Sequence, residues 1–369
     1  MTSGQNVKSP VNNNHASGGC YNAVLFARPF HNRRAVMLGY PMKKCGLVFL
    51  LVFAATIAAG QTDLRQLVQR SPELPVQAVE LKAQPPHAGW QLGMVSWIAV
   101  DRMGLIYLLQ RGDKADPIVV IDHEGHVVRS WGKGMYTMPH AIRIDSEGNV
   151  WTTDAATSVV YKFSPSGKKL MEIHVGGQPS PCRSIAGSFN GFCGTTDIAF
   201  ASSGNVFISD GYANARVLEY TRDGKKVREW GAAGRGPGQF RLVHSIQIDG
   251  SGVVYVSDRE NGRVERFDLN GKYLGEWDNL GRIFSLKIDG DSIWLATQPL
   301  DLPNFSPGWL LKLDRKTGKL LGHVDVTGAH GMDALSNGEL FIGPGCTGPC
   351  TGLEQGRTSP QWFRPSRLP

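Results

Sequence analysis

This chain of 369 residues carries no long segment with a helical apolar period, which argues against a helix bundle or a doubly wound α/β fold. It also lacks a real charge imbalance, despite 39 Lys+Arg against 32 Asp+Glu. Residues 1–60 hold six of the basic residues (Lys8, Arg28, Arg33, Arg34, Lys43, Lys44) and no Asp or Glu. Setting those six aside leaves 33 basic against 32 acidic, a balance of +1 that gives no field for a nucleic-acid partner. Cysteine is sparse, and neither Cys182/Cys193 nor Cys346/Cys350 has the two-residue spacing of a zinc knuckle.

Met42-Lys-Lys followed by the apolar run Cys45–Gly60 has the basic start, short core and small-residue end of a secretory signal peptide. The expectation is a secreted or periplasmic protein, with no membrane partner unless that run is kept as an anchor. Residues 1–41 lack periodicity and are read as untranslated, with the true start at Met42, or as a disordered leader. Cys20 and Cys45 fall in the leader, and export favours two short disulfides, within Cys182/Cys193 and within Cys346/Cys350, over free thiols.

What the chain does have is a repeat. Gly148, Gly252 and Gly338 each precede a short β-type run: Asn149-Val-Trp-Thr-Thr-Asp154, Val253-Val-Tyr-Val-Ser-Asp258 and Glu339-Leu-Phe-Ile-Gly343. Three more copies stand at Asp101–Tyr107, Ser203–Asp210 and Asp289–Trp294. Six units at this spacing, joined by turns such as Arg222-Asp-Gly-Lys225, read as an all-β, six-bladed β-propeller over residues 90–345, a fold to which the resemblance given below adds NHL-type repeats. Residues 61–89 are then a linker with a candidate ring-closing strand at Leu74–Leu81. Residues 346–369 are a Gly/Pro-rich tail.

His140, His244 and His330 each stand eight residues before the turn glycine, in the second, fourth and sixth units. In a closed propeller those positions lie about 120° apart around the channel, so three imidazoles converge on one point. Three neutral nitrogens with one position left open suit a catalytic Zn²⁺. Counting past the turn returns to the same face. Arg111 and Arg259 stand seven after their glycines and Tyr212 eight after Gly204, so two arginines and a tyrosine rim the histidines. Arginine forks a carboxylate, and a phenol beside a zinc ion can exchange a proton. Asp154, Asp210 and Asp258 recur with and without histidine and are read as acceptors inside the blades. Trp151, Phe207, Tyr255, Trp294 and Phe341 are read as core.

Pro139-His-Ala-Ile142, Phe192-Cys-Gly-Thr-Thr-Asp-Ile-Ala199, Ser209-Asp-Gly-Tyr-Ala-Asn-Ala-Arg-Val217, Gly236-Pro-Gly-Gln-Phe240, Val243-His-Ser-Ile246 and Asp258-Arg-Glu-Asn-Gly-Arg-Val264 resemble the peptidyl-α-hydroxyglycine α-amidating lyases. That family is the second catalytic domain of the bifunctional peptide-amidating enzyme and its bacterial NHL-repeat relatives. The likeness runs from about Val95 to Gly343. It implies that His140, His244 and His330 hold zinc, that Tyr212 is the active-site tyrosine, and that Arg111 and Arg259 are the active-site arginines. The implied reaction cleaves a peptide ending in α-hydroxyglycine, or a related small carbinolamide, into an amide and glyoxylate.

The resemblance also implies a channel calcium, held partly by backbone carbonyls near Val95 and Ile142 and partly by an aspartate just after the third histidine. That aspartate is Gly331 here, and the methionine two before the histidine is Gly328. The family disulfide through the Asp-Gly-Tyr motif meets Ala213, with Cys182 a substitute partner for Cys193. A second family disulfide meets Tyr255 and Glu265. The expected partner is a small molecule or peptide, the expected state a monomer. A second reading keeps the blade grammar for a non-catalytic propeller that binds a peptide, glycan or protein. A calcium-dependent lactonase would want carboxylate and asparagine ligands in the channel, and the three histidines disfavour it.

Overall fold

The computed structural model describes residues 63–178, 192–344 and 359–366. The leader 1–41, the segment 42–60, and Cys182, Cys346 and Cys350 lie outside these residues. Among the described residues, no helix is long and apolar enough to cross a membrane.

Three of the six blades, the first, second and fourth in chain order, start from the same local device. Asp101, Asp145 and Asp249 stand three residues before Gly104, Gly148 and Gly252, whose φ of +84°, +84° and +87° favours glycine. The aspartate Oδ1 accepts two backbone N–H bonds across the turn, as from Glu147 (2.9 Å) and Asn149 (2.8 Å) to Asp145. Its Oδ2 then accepts from the aromatic three residues past the glycine: Tyr107 Oη (3.0 Å), Trp151 Nε1 (2.9 Å) and Tyr255 Oη (3.1 Å). One carboxylate thus sets the turn and aims a core ring.

Among the described residues these hairpins build six four-stranded antiparallel sheets. Their innermost strands are Val95–Val100, Pro139–Ile144, Thr195–Phe200, Val243–Ile248, Arg282–Asp289 and Gly331–Ala334, called blades I to VI in that order. Each packs on the next and the last on the first, closing the ring. Trp151, Phe207, Tyr255, Trp294 and Phe341 are buried between blades. Asp154 accepts from the Thr137 N–H (2.6 Å), and Asp210 and Asp258 pair with Arg216 and Arg263 (2.9 Å each).

Blade VI draws its outer half from both ends of the chain. Val76–Glu80 is its outermost strand, and it pairs with Gln361–Pro365, which lies on Leu340–Gly343. Residues 346–369, expected as a tail, thus supply a strand of the ring. The Gly/Pro-rich stretch before Gln361 masks the alternation of Gln361-Trp-Phe-Arg364, so this third strand leaves no clear trace in the sequence. Residues 61–89 also hold a short helix, Leu64–Gln69, capped by Asp63. Trp362 is 2% exposed and stacks on Phe341 with 5.5 Å between centroids. Trp362→Ala is therefore expected to lower unfolding stability by about 3–5 kcal/mol in urea titrations. An unchanged midpoint would show that this strand does not clasp the ring.

Candidate active site

The innermost strands are not regular at the histidine level. Register breaks fall between Val95 and Trp97, Pro139 and Ile142, Thr195 and Asp197, Val243 and Ser245, and Ile283 and Ser285. A bulge leaves its extra residue outside the ladder, with a backbone carbonyl to spare and a re-aimed side chain. His140 and His244 sit in two of these bulges, and Ser96, Thr196 and Phe284 in the other three.

The consequence is a ring of tethers. His140 Nδ1 meets Thr196 O at 2.6 Å, His244 Nδ1 meets Phe284 O at 2.5 Å, and His330 Nδ1 meets Ser96 O at 2.9 Å. Each histidine of blades II, IV and VI is held by the following blade, which carries no histidine. A carbonyl only accepts, so the proton sits on every Nδ1 and the Nε2 lone pairs are left for a ligand. The three ring centroids are 4.8–4.9 Å apart, and one ligand nitrogen from each lies within 4.8 Å of the others. Burial, reinforced by neighbouring cationic groups, pushes His140 and His244 well below the ordinary imidazole range and His330 to about 3. Neutral, buried and oriented by outer hydrogen bonds, this donor set fits a divalent transition metal such as zinc.

Tyr212 closes the site. Its Oη lies 2.9 Å from His140 Nε2 and 3.1 Å from His244 Nε2. Burial raises its phenol pKa, and Arg259 and Arg111 pull the other way. Arg111 donates from Nε to Pro139 O (2.9 Å) and from Nη2 to Ser96 Oγ (3.0 Å), and burial lowers it to about 10. Arg259 is paired with Glu260 at 2.8 Å and lies over the Phe284 ring. The structure thus brings together all six residues the sequence singled out: three histidines, one tyrosine and two arginines.

A family model described as a 6-bladed beta-propeller matches residues 194–319. The rat peptidylglycine alpha-amidating monooxygenase is 30% identical over 294 residues, covering 68% of this chain but only 29% of that protein's length. A Caenorhabditis elegans protein named as a probable peptidyl-alpha-hydroxyglycine alpha-amidating lyase is 26% identical over 298 residues, covering 68% of this chain and 80% of its own. The chain belongs to the peptidyl-α-hydroxyglycine α-amidating lyase family. A solved streptogramin B lyase matches at a TM-score of 0.51 with 14% identity, over 79% of this chain and 98% of that one, and shares the propeller fold alone.

Hairpin counting reaches the rim residues, but it does not reach several of their neighbours. Ser96 donates to His140 O at 2.7 Å while its carbonyl holds His330. Glu260 pairs with Arg259 and with Arg282 (3.1 Å), and it was legible within the Asp-Arg-Glu-Asn motif as the acid between two basic residues. Phe305, with a φ of +65°, lies 5.9 Å from the His330 ring in an irregular insert of blade V, where no repeat register reaches. Its strained backbone marks a position where an aromatic wall is held against the site.

The calcium implied by the family does not fit the residues present. Gly331 brings no carboxylate, and a Cβ there would collide with the Trp97 ring. Between the strands of Val95 and Ile142 the channel is crossed by Arg143, 6% exposed and bound to Asp197.

Proposed function

We propose that the protein is a zinc-dependent lyase that cleaves a C-terminal α-hydroxyglycine carbinolamide, or a related small carbinolamide, to an amide and glyoxylate. One observation carries this reading: the Tyr212 hydroxyl lies between the Nε2 atoms of His140 and His244, with Arg111 and Arg259 beside it. When bound, a zinc ion supplies Lewis acidity to an oxygen of the substrate. His140, His244 and His330 would hold it, each fixed in its tautomer by a backbone carbonyl.

The chain's own groups account for the rest. Tyr212 Oη is placed to take the carbinol proton. As the C–N bond breaks, its electrons go to the departing amide nitrogen, which takes up the proton that the Tyr212 hydroxyl gives up in exchange, and the carbinol carbon becomes the aldehyde of glyoxylate. Arg111 or Arg259 fixes the terminal carboxylate, so the substrate arrives with its hydroxyl toward Tyr212. Phe192, 4.8 Å from the Tyr212 ring, and Phe284 wall the site in and hold water away from the phenol.

The test is glyoxylate release from an α-hydroxyglycine-terminated peptide by the purified protein, before and after chelation and with zinc restored. Release that stops on chelation and returns with zinc is expected. A folded, zinc-loaded protein that releases no glyoxylate from this peptide or from small carbinolamides would overturn the reading.

A further inference from the structure

Directly behind the histidines lies a charged layer that the reaction does not use. Arg143 points across the channel from blade II and is bidentate to Asp197 of blade III, Nε to Oδ1 at 2.8 Å and Nη2 to Oδ2 at 2.6 Å. Nη2 also reaches Leu286 O of blade V at 3.2 Å and Ser245 Oγ of blade IV at 3.4 Å. The guanidinium carbon sits 4.8 Å from the centroid of the Trp97 ring of blade I. Trp97 in turn packs against Gly331 of blade VI. One side chain therefore links five innermost strands directly and the sixth through an indole, which places it across the channel axis.

The carboxylate is equally committed. Asp197 accepts from Ser245 Oγ (2.6 Å), the Ile198 N–H (2.8 Å) and the Ile246 N–H (3.2 Å) besides the arginine, and is fully buried. A buried ion pair is favourable only when its remaining valences are filled like this, and removing one partner leaves the other charge stranded. Beyond it, Lys287 of blade V pairs with Asp333 of blade VI at 2.6 Å, a second fixed cation at the far mouth. The equivalent positions in blades I and III are Ala99 and Ala199, small enough to leave the arginine its room.

We propose that Arg143 is the resident cation of this channel: it does covalently what a bound divalent ion would do there, and through Trp97 it positions the metal-binding histidines without calcium. The Trp97 ring is the transmitting part, lying 5.9 Å from His140 and 5.7 Å from His330. Gly331 belongs to the same exchange, because the residue that removes the acidic ligand also makes space for the indole that stacks on the guanidinium. Arg143 is thus a positioning residue. The positioning half of the proposal rests on the metal reading above; the exclusion of calcium does not.

The experiment uses the full chain stripped of metals, with Co²⁺ as a spectroscopic substitute for zinc and Ca²⁺ added separately. The wild type should take up one Co²⁺ per chain, bind no stoichiometric Ca²⁺, and show the same Tm with calcium or a calcium chelator. Arg143→Met should weaken Co²⁺ binding by about 10–100-fold and alter the visible d–d bands, since it loosens groups that orient the ligands. Arg143→Lys should restore part of the affinity, keeping the charge but losing the planar fork. Should Arg143→Met fail to fold, Gly331→Ala, which displaces Trp97 while keeping the ion pair, should show the same weakening. One calcium bound per wild-type chain would overturn the proposal. So would wild-type Co²⁺ affinity and spectrum in folded Arg143→Met, or in Gly331→Ala. A wild type that ignores Co²⁺ would instead overturn the metal reading, and the calcium measurement would still judge Arg143.

Discussion

Tyr212→Phe is expected to keep its metal and lose turnover by about 10²–10⁴-fold, the range of a positioned acid–base group. The substitution removes only the hydroxyl that lies 2.9 and 3.1 Å from two histidine nitrogens. The ring remains to pack on Phe192, and no imidazole loses its backbone tether. Metal content by elemental analysis and kcat for glyoxylate release, measured on one preparation, separate the two effects. Full turnover with metal bound would remove Tyr212 from the proton transfer. Equal loss of metal and turnover would make it a structural neighbour.

Changing the third histidine should cost the metal as well as turnover. His330→Ala leaves two ligands for a site that needs three protein donors, so metal should be lost together with several kcal/mol of transition-state stabilisation, on the order of a thousandfold in kcat/KM. His330 is the informative choice because its surroundings depart most from the family, with Gly328 and Gly331 on either side. Its tether to Ser96 O matches the backbone tethers of the other two, and its ring centroid lies 4.8 and 4.9 Å from theirs. One metal per chain at wild-type affinity in the variant would strike it from the ligand set.

The histidines were legible because a rigid signal stands near each of them. A turn glycine fixes where a hairpin reverses, and strand rise then fixes which residues return to the same mouth, so counting reached His140, His244 and His330, and also Tyr212, Arg111 and Arg259. The bulges were not legible: a bulge is one residue without a partner, and nothing in Val95-Ser-Trp97 or Thr195-Thr-Asp197 distinguishes it from regular strand. The carbonyl tethers that set the histidine tautomers were hidden with them. Arg143 escaped because it has no repeated counterpart, and periodic reasoning sees only what recurs. The third strand of blade VI escaped for a different reason, since its partner Val76–Glu80 lies some 280 residues away and strand pairing at that distance leaves no local trace.

That pairing bears on the order in which the molecule can be made. Blades I to V are each continuous in sequence and can form as the chain emerges. Blade VI cannot, because Val76–Glu80 has no neighbour until Gln361–Pro365 has been synthesised. His330 belongs to that blade, so the three-histidine centre is completed only when the two ends of the polypeptide meet. Any metal held by all three imidazoles would therefore be acquired only after Gln361–Pro365 has been synthesised, because a shorter nascent chain, however many blades it has folded, has no closed ring to present them.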